Sequence, residues 1–314
     1  MKIVITGGLG FIGSNFARYV RSVSNDVKLH CIDWAKNVFV PSNSFFYSVT
    51  SSCFASEGAR SVYEHADAVV HLAASTTVQG SIADPIECFS NNVTKTHTLL
   101  EHVRSVAPNC HFVFASTGGA IVGDHDGLIN ENVPPQPKSP YGASKLAVEG
   151  LLSAYSASYG IPTCALRFSN VYGPNSGGKS SVVAKFCKSL QEGCDVTING
   201  DGCQTRDFVH VDDICTAIWK VIKARETGVF QLGTGTGTSI NELVRILQAG
   251  SLEKQISVLR KPNLAGEVRH NVCDFRRARR RLGYEPQIPI QQGLIETLGW
   301  FRSQQAEVQK NAKI

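Results

Sequence analysis

The sequence predicts an α/β fold: a doubly wound parallel sheet with a smaller C-terminal α/β lobe. Three observations carry that expectation. Short β-branched runs alternate with longer stretches through the first half of the chain. The longer stretches hold their apolar residues at helical spacing. After Asn170 the texture changes to short strands, turns and helices without that alternation. Strands alternating with helices build a parallel sheet with right-handed crossovers, and such sheets bind ligands at the carboxyl ends of their strands.

In chain order, KIVIT, KLHCID, AVVHLA, HFVFAS and TCALRF read as strands. GSNFARYVRSV, NNVTKTHTLLEHVRSV and YGASKLAVEGLLSAYSASYG read as the helices between them. Beyond Asn170, VYGPNSGGKSS reads as a loop and VVAKFCKSLQEG as a helix. VTINGDGCQTRDFVHVDDI reads as a short strand, a turn and a helix start. DFRRARRRLG and IQQGLIETLGWFRSQ form a last helical pair before a polar tail, QAEVQKNAKI, that is expected to fray.

The bulk numbers narrow the class. With 314 residues, 42% apolar and 18% charged, the chain is an ordinary soluble protein large enough for two lobes. No apolar run has the length of a membrane span, and MKIVITGGLG breaks at glycines as a first strand does, not as a signal peptide. The ten cysteines, at 31, 53, 88, 110, 164, 187, 194, 203, 215 and 273, include no CxxC pair. Buried thiols in a reducing cytoplasm are therefore expected, with no disulfide and no metal. A formal charge of +5 suits an anionic ligand and is too small to argue nucleic acid. The run Arg276 to Arg281 reads as the solvated face of a terminal helix.

Gly7, Gly10 and Gly13 form G-x-x-G-x-x-G immediately after the first strand and at the start of a helix. Glycines there permit a tight turn and let the backbone approach a pyrophosphate, whose charge meets the helix N-terminus. Asp33 ends the second strand about 20 residues on, as a ribose hook should. A carboxylate repels a 2′-phosphate, so NAD is preferred to NADP, although Lys36 lies nearby. Tyr141 and Lys145, in SPYGASK, stand four apart on one helix face. A nearby ammonium favours the phenolate and so makes tyrosine a usable base. Y-x-x-x-K alone also arises by chance on surface helices. Ser116 and Thr117 end the fourth apolar run, where they either face the ligand edge of the sheet or merely cap a turn.

From ITGGLGFIGS to GWF the chain resembles the extended short-chain dehydrogenase/reductases, in particular the NAD-dependent epimerase/dehydratase group acting on nucleotide sugars. The resemblance runs in order through VVHLAA, SIADP, NNVTKT, STGG, PYGASK, LRFSNVYGP, NGDGCQTRDFVHVDDI and QLGTGTGTSINEL. It implies a Rossmann-like cofactor domain over residues 1–169, rejoined at about 208–235, and a sugar-nucleotide lobe over 170–207 and 236–314. It also implies a homodimer in the cytoplasm, serving polysaccharide biosynthesis. By the same resemblance Tyr141 is the acid/base, Lys145 its electrostatic partner and nicotinamide-ribose binder, and Thr117 the hydroxyl that bonds the reacting sugar oxygen. Further cofactor contacts implied are Phe11, Ile12, Leu72, Ala73, Ala74, Asn92 and Phe168. Substrate contacts implied are Ser116, Asn170, Val182, Ile198, Arg206, Glu267 and Asn271.

Members of this group share a first step, in which tyrosinate takes the sugar 4-hydroxyl proton as hydride leaves C4 for NAD. The 4,6-dehydratases then need another acid and base, supplied by Asp-Glu after the Ser-Thr pair; Gly118 and Gly119 stand there in this chain. The sugar-nucleotide decarboxylases keep a Glu at the second place. Glycine has no side chain and moves no proton. What remains is return of the hydride to the other face, a 4-epimerisation, on a UDP-hexose or UDP-N-acetylhexosamine. The alternatives are a 4-ketosugar reductase and a non-catalytic NAD(P)-sensing regulator. Arg206 matches the diphosphate-binding arginine; Leu264 stands where a second is usual, with Arg260, Lys261 or Arg269 as substitutes. Glu267 replaces Asp as the nucleotide-ribose acceptor. Asn271 stands where a large aromatic would close the pocket to an N-acetyl group, so acetamido sugars are expected to enter.

Overall fold

A computed structural model of the chain describes residues 1–34, 48–250, 257–262 and 269–311. A seven-stranded sheet is built from β1 (Lys2–Thr6), β2 (Lys28–Asp33), β3 (Ser48–Ser51), β4 (Ala68–His71), β5 (His111–Thr117), β7 (Thr163–Phe168) and β11 (Gly228–Leu232). Between them in the chain lies β6 (Leu128–Ile129), and β8 (Asn170–Tyr172), β9 (Val196–Asn199) and β10 (Thr205–His210) come before β11. The last strands are β12 (Gly237–Ser239), β13 (Val258–Lys261) and β14 (His270–Cys273). The large sheet has the order β11-β7-β5-β4-β1-β2-β3, and every pair in it is parallel. The order reverses between β1 and β4. A crevice opens at that switch point because the two following connections leave on opposite faces.

Helices α1 (Phe11–Val23), α2 (Val78–Ala83), α3 (Pro85–Phe89), α4 (Lys95–Val106), α5 (Gly119–Val122) and α6 (Pro140–Tyr159) belong to the first half. They are followed by α7 (Val182–Glu192), α8 (Val211–Ala224), α9 (Ile240–Ala249), α10 (Arg276–Leu282) and α11 (Ile290–Asn311). One face of the large sheet is covered by α1, α8 and α10, through Phe16, Val20, Ile214, Ile218 and Leu282. The other face is covered by α4 and α6, through Leu99, Val103, Val148 and Leu152. Fully burying one such side chain is worth roughly 1.5–3 kcal/mol, so each face is held by several. A third core, with Phe186, Leu190, Leu243, Leu247 and Leu298, packs α7, α9 and α11 together.

Where the structure departs from the sequence reading, short strands are the cause. VYGPNSGGKSS is not all loop: β8 pairs with β10 through Val171↔Val209. The segment read as strand, turn and helix start holds a second strand, β10, which carries β12, β14 and β8 as neighbours. Leu128–Ile129 pairs with β14 and not with the large sheet. Residues 90–94 form a π-helical turn ahead of α4. The polar tail stays helical to Asn311 instead of fraying from residue 305. The arginine run is a solvated helix face as expected, and its exposed side chains also pair: Arg276 meets Asp274, Arg277 meets Glu131, Arg279 meets Glu285 and Arg281 meets Glu226.

Candidate active site

The glycine loop has no space for side chains. A Cβ at Gly7, which has φ +68°, would lie 2.8 Å from the Ala73 backbone nitrogen across the switch point. One at Gly13 would lie 2.5 Å from the Gly7 carbonyl oxygen. Gly10 is the N-cap of α1 and leaves the first helical N–H groups facing the crevice without a side-chain cap. The Leu9 N–H donates to Asp33 Oδ2 at 2.9 Å, so the acidic residue is tied to the glycine turn. A cavity of about 410 Å³ runs from Gly7 and Asp33 past Cys53 and Phe54 to Ala73 and Ala74. This cradle, its helix N-terminus and its carboxylate fit a dinucleotide. Trp34 and Lys95 border the same cavity, with Lys95 Nζ 5.0 Å from the Trp34 ring centre.

Not every cofactor residue expected from the sequence faces that space with its side chain. Phe11 and Phe168 are buried in the core, while Ile12 and Leu72 pack against it, half-buried. Asn92 is a correction. It is buried, its Oδ1 accepts from the Ser75 N–H at 2.8 Å, and its Nδ2 donates to the Ser75 carbonyl and to Ser144 Oγ. Its amide is spent on holding the loop after β4 against α6, behind the cavity.

Tyr141 and Lys145 sit on the first turns of α6, whose start is well specified. Ser139 Oγ accepts from the Gly142 N–H, Pro140 takes the first turn, and Gly160 ends the helix in the left-handed region. Gly142 is needed for contact: a Cβ there would lie 2.0 Å from the Ala120 carbonyl oxygen, so α5 is pressed onto the catalytic turn. Thr117, half-buried, ends β5 directly before that short helix. Lys145 Nζ donates to the Ala115 carbonyl at 2.8 Å and lies 6.0 Å from the Tyr141 ring centre.

The charges differ from the sequence expectation. Burial lowers Lys145 to about 7, helped by the Lys179 ammonium and opposed by Glu149. Lys179 itself donates to Thr76 Oγ1 across the cleft. Burial raises the Tyr141 phenol above its ordinary value, and Lys145 does not counter this in the chain alone. The reason is physical: desolvation penalises both charged forms, and a lysine that has itself lost much of its charge gives little help to a phenolate.

Ser116 is a second correction. It was expected to face substrate, but it is buried and its Oγ donates to Glu149 Oε1 at 2.6 Å. Glu149, one turn beyond Lys145 on α6, is also held by Arg167 through Nε at 2.9 Å and Nη2 at 2.7 Å. Ser116 and Arg167 are neighbours in the β5–β7 register. Sequence reasoning missed Glu149 and Arg167. The i, i+4, i+8 spacing of Tyr141, Lys145 and Glu149 was the available signal.

On the lobe side, Arg206 and Asn271 are register partners in β10 and β14. Arg206 Nη1 donates to the Thr205 and Arg269 carbonyls. Arg269 reaches Asp201 Oδ2, and Arg260 reaches the Asp201 carbonyl and Asn241 Oδ1. Two guanidinium groups, both substitutes expected for Leu264, thus meet at the turn at 200–202, and Arg206 bonds the backbone of one of them. Leu264, Glu267 and Lys36 lie outside the described residues. Asn170 is exposed at the start of β8, with Nδ2 donating to the Asp207 carbonyl. Val182 is half-buried at the start of α7, and the Ile198 side chain is buried in the lobe core, so only its backbone faces outward.

Asp207 and Gln231 are further residues the sequence did not flag. Asp207, wholly buried, accepts from the N–H groups of Thr234, Gly235 and Cys273 and from Thr234 Oγ1, tying β10 to β14. Gln231 is wholly buried with neither amide atom hydrogen-bonded, and its Oε1 lies 2.5 Å from where a Gly118 Cβ would stand. Among the described residues no group of three or more His, Cys, Asp or Glu is placed to hold a metal, and no helix is long and apolar enough to cross a membrane.

Comparison with known proteins matches this arrangement. The model of the NAD dependent epimerase/dehydratase family matches residues 3–233. A UDP-glucose 4-epimerase of Mycolicibacterium smegmatis is 31% identical over 312 residues, 96% of this chain and 99% of the relative. The crystal structure of UDP-glucose 4-epimerase from Thermotoga maritima, with UDP-glucose, superposes with a TM-score of 0.89 at 32% identity, covering 97% of this chain and all of that one (100%). A UDP-N-acetylglucosamine 4-epimerase from Methanobrevibacter ruminantium, in complex with UDP-N-acetylmuramic acid, superposes with a TM-score of 0.87 at 28% identity over 96% of this chain and 98% of that one. With its glycine cradle at the switch point, Thr117 at the end of β5 and Tyr141 and Lys145 on α6, the chain belongs to the NAD dependent epimerase/dehydratase family.

Proposed function

We propose that the protein is a nucleotide-sugar 4-epimerase acting on a UDP-hexose or UDP-N-acetylhexosamine with NAD held in the cradle at Gly7, Gly10, Gly13 and Asp33. One observation carries this reading. Thr117 ends β5, and Lys145 on α6 donates to the Ala115 carbonyl of that same strand 6.0 Å from the Tyr141 ring centre, while Gly118 and Gly119, next after Thr117, have no proton-moving side chain. A dehydratase needs another acid and base at that edge, and an epimerase does not.

NAD, when bound, supplies the hydride-accepting ring and a positive charge beside the phenol. Tyr141 takes the proton of the sugar 4-hydroxyl and gives it back once the sugar has presented its other face. Thr117 hydrogen-bonds the same oxygen. Lys145, anchored by the Ala115 carbonyl 6.0 Å from the Tyr141 ring centre, bonds the cofactor ribose, and the positive charge of bound NAD supplies the help to the phenolate that burial takes from Lys145. Arg206, with Arg269 and Arg260 at the 200–202 turn, meets the substrate diphosphate by paired guanidinium hydrogen bonds. Asn170 adds an amide on that side, and Glu267 is proposed for the nucleotide ribose. In this reading residues 1–169 and about 208–235 form the cofactor domain, and 170–207 and 236–314 the sugar-nucleotide lobe. It extends to a cytoplasmic homodimer serving polysaccharide biosynthesis. Ten free cysteines support the reducing compartment, and the exposed Ile82, Ile86 and Phe89 on α2 and α3 support a partner surface.

The test incubates purified protein, without added cofactor, with UDP-glucose, UDP-N-acetylglucosamine and UDP-glucuronate, and follows the sugars by NMR. Equilibration of C4 epimers is expected, and Tyr141→Phe should abolish it. Product formed only from a keto-sugar with added NAD(P)H would instead identify a reductase. Retained NAD without any turnover would identify a regulator.

A further inference from the structure

The segment after β8 crosses the cofactor crevice from one wall to the other. Its near end lies on α1, the helix of the glycine cradle. Asn15, with no solvent exposure, donates through Nδ2 to the Pro174 carbonyl at 2.9 Å and accepts at Oδ1 from Asn175 Nδ2 at 3.1 Å. Its far end lies on the loop after β4, where Lys179 Nζ donates to Thr76 Oγ1 at 3.1 Å. Ala73, Ala74 and Ser75, just before Thr76, line the cavity at the switch point. Strands β1 and β4, which lead into these two anchors, are the pair between which the sheet order reverses. Residues 173–179 therefore span the crevice in which the cradle would receive a dinucleotide diphosphate.

The span is held in shape by its own contacts. A Cβ at Gly173 would lie 2.6 Å from Val211 Cγ1, so the segment leaves β8 pressed onto the start of α8. Asn175 holds φ +66°, a left-handed conformation that asparagine tolerates better than most side-chain-bearing residues. Buried Ser176 donates through Oγ to the Gly173 carbonyl at 2.7 Å, and the Lys179 N–H closes a turn onto the Ser176 carbonyl at 2.9 Å. Lys179 itself is open to the cleft, and among the described residues no carboxylate pairs with it. Its charge is felt by Lys145, a second cation. An ammonium carries three donors, so one bond to Thr76 leaves two for the oxygens of an anion.

We propose that residues 173–179 form a strap that retains NAD, and that Lys179 binds the diphosphate of the dinucleotide from the lobe side while Asn15 and Thr76 hold the strap at its two ends. Release of NAD then requires one end to open. The inference rests on the family's cofactor and not on the reaction that follows. A cofactor held in this way stays through successive turnovers, as return of the hydride to the same sugar requires.

The test mixes NAD-loaded protein with excess isotopically labelled NAD and reads the bound cofactor by mass spectrometry at successive times. Lys179→Gln keeps a donor for Thr76 but carries no charge, and it should release NAD roughly ten- to a hundredfold faster, the range of a charge-assisted hydrogen bond. Thr76→Val and Asn175→Gly each free one end and should quicken release roughly tenfold, the value of about one hydrogen bond. Lys179→Arg keeps the charge and should stay close to wild type. Added salt should quicken release from wild type more than from Lys179→Gln, because screening acts on the charge. Melting temperatures check that each variant is folded, and calorimetric affinity for UDP should be the same in Lys179→Gln as in wild type. Unchanged NAD release in Lys179→Gln would overturn the proposal. So would a loss of UDP affinity with NAD release unchanged, which assigns the ammonium to the diphosphate of the nucleotide sugar. Equal acceleration by Lys179→Gln and Lys179→Arg would overturn the role of charge. Slow, Lys179-dependent NAD release in a protein that converts no sugar would uphold the strap and overturn the epimerase reading alone.

Discussion

Gly118 and Gly119 are adjacent, and a methyl group at each has a different consequence. At 119 the obstructing atom is the end of the half-buried Asn271 side chain. At 118 it is Gln231 Oε1, 2.5 Å away on a side chain with no solvent exposure. Gly118→Ala should therefore destabilise the protein by about 1–3 kcal/mol, as overpacking of a closed core does. Chemical denaturation is the check, and a change under about 0.5 kcal/mol, the scale of an ordinary surface substitution, would mean that Gln231 has room to rearrange. Of the two hydroxyls before these glycines, only Thr117 remains available to a substrate oxygen. Ser116 points the opposite way because successive strand residues face opposite sides of a sheet.

Two strands, β5 and β7, and helix α6 are fastened beneath the catalytic edge by a buried ion pair. Glu149 on α6 receives Ser116 from β5 and Arg167 from β7, and the side chains of the pair are each only 7% exposed. Replacing the buried carboxylate strands a guanidinium, so Glu149→Gln should cost about 3–5 kcal/mol of stability. Glu149→Leu combined with Arg167→Met should recover most of it, since an apolar pair carries no desolvation penalty. If the double variant is as unstable as the single, the pair is worth more than its desolvation costs. The recovered protein also shows whether the pair positions Lys145, through the pH dependence of turnover. Such a cluster is hard to read in sequence. Its members lie 33 and 18 residues apart, and only the parallel register of β5 and β7 brings them together.

The switch point of the large sheet is held from behind by His71. Thr96 Oγ1 donates to the Asn92 carbonyl, so His71 Nε2 donates to Thr96 and its Nδ1 accepts from Thr6 Oγ1 at 2.6 Å. The ring is thus a neutral bridge between β1, β4 and α4, and burial lowers it to about 3. Its folded value is depressed below the unfolded value near 6.5, so the unfolded chain binds the extra proton as pH falls. Stability contributed by His71 should be complete above about pH 6.5 and be lost progressively down to about 3, at up to ~1.4 kcal/mol per pH unit. His71→Gln keeps a donor and an acceptor without titrating, so its urea stability should fall less steeply across that window. Parallel slopes for the two proteins would place the acid sensitivity elsewhere.

Local pattern determined a large part of this protein. The alternation of β-branched runs with helical spacing gave the parallel sheet, and the glycine triplet followed by Asp33 gave the dinucleotide cradle, because both depend on neighbours within a few tens of residues. The four-residue spacing of Tyr141 and Lys145 and the glycines at 118 and 119 likewise belong to single elements. Tertiary structure decided what depends on packing between distant strands. It turned Ser116 and Asn92 inward and raised the phenol that the lysine was expected to lower. It also gave the short strands β8 and β10 their partners and laid Asn271 on Gly119, 152 positions apart in the chain (271 minus 119). Side-chain direction, desolvation and close contact are set by which surfaces meet, and no local period in the sequence encodes them.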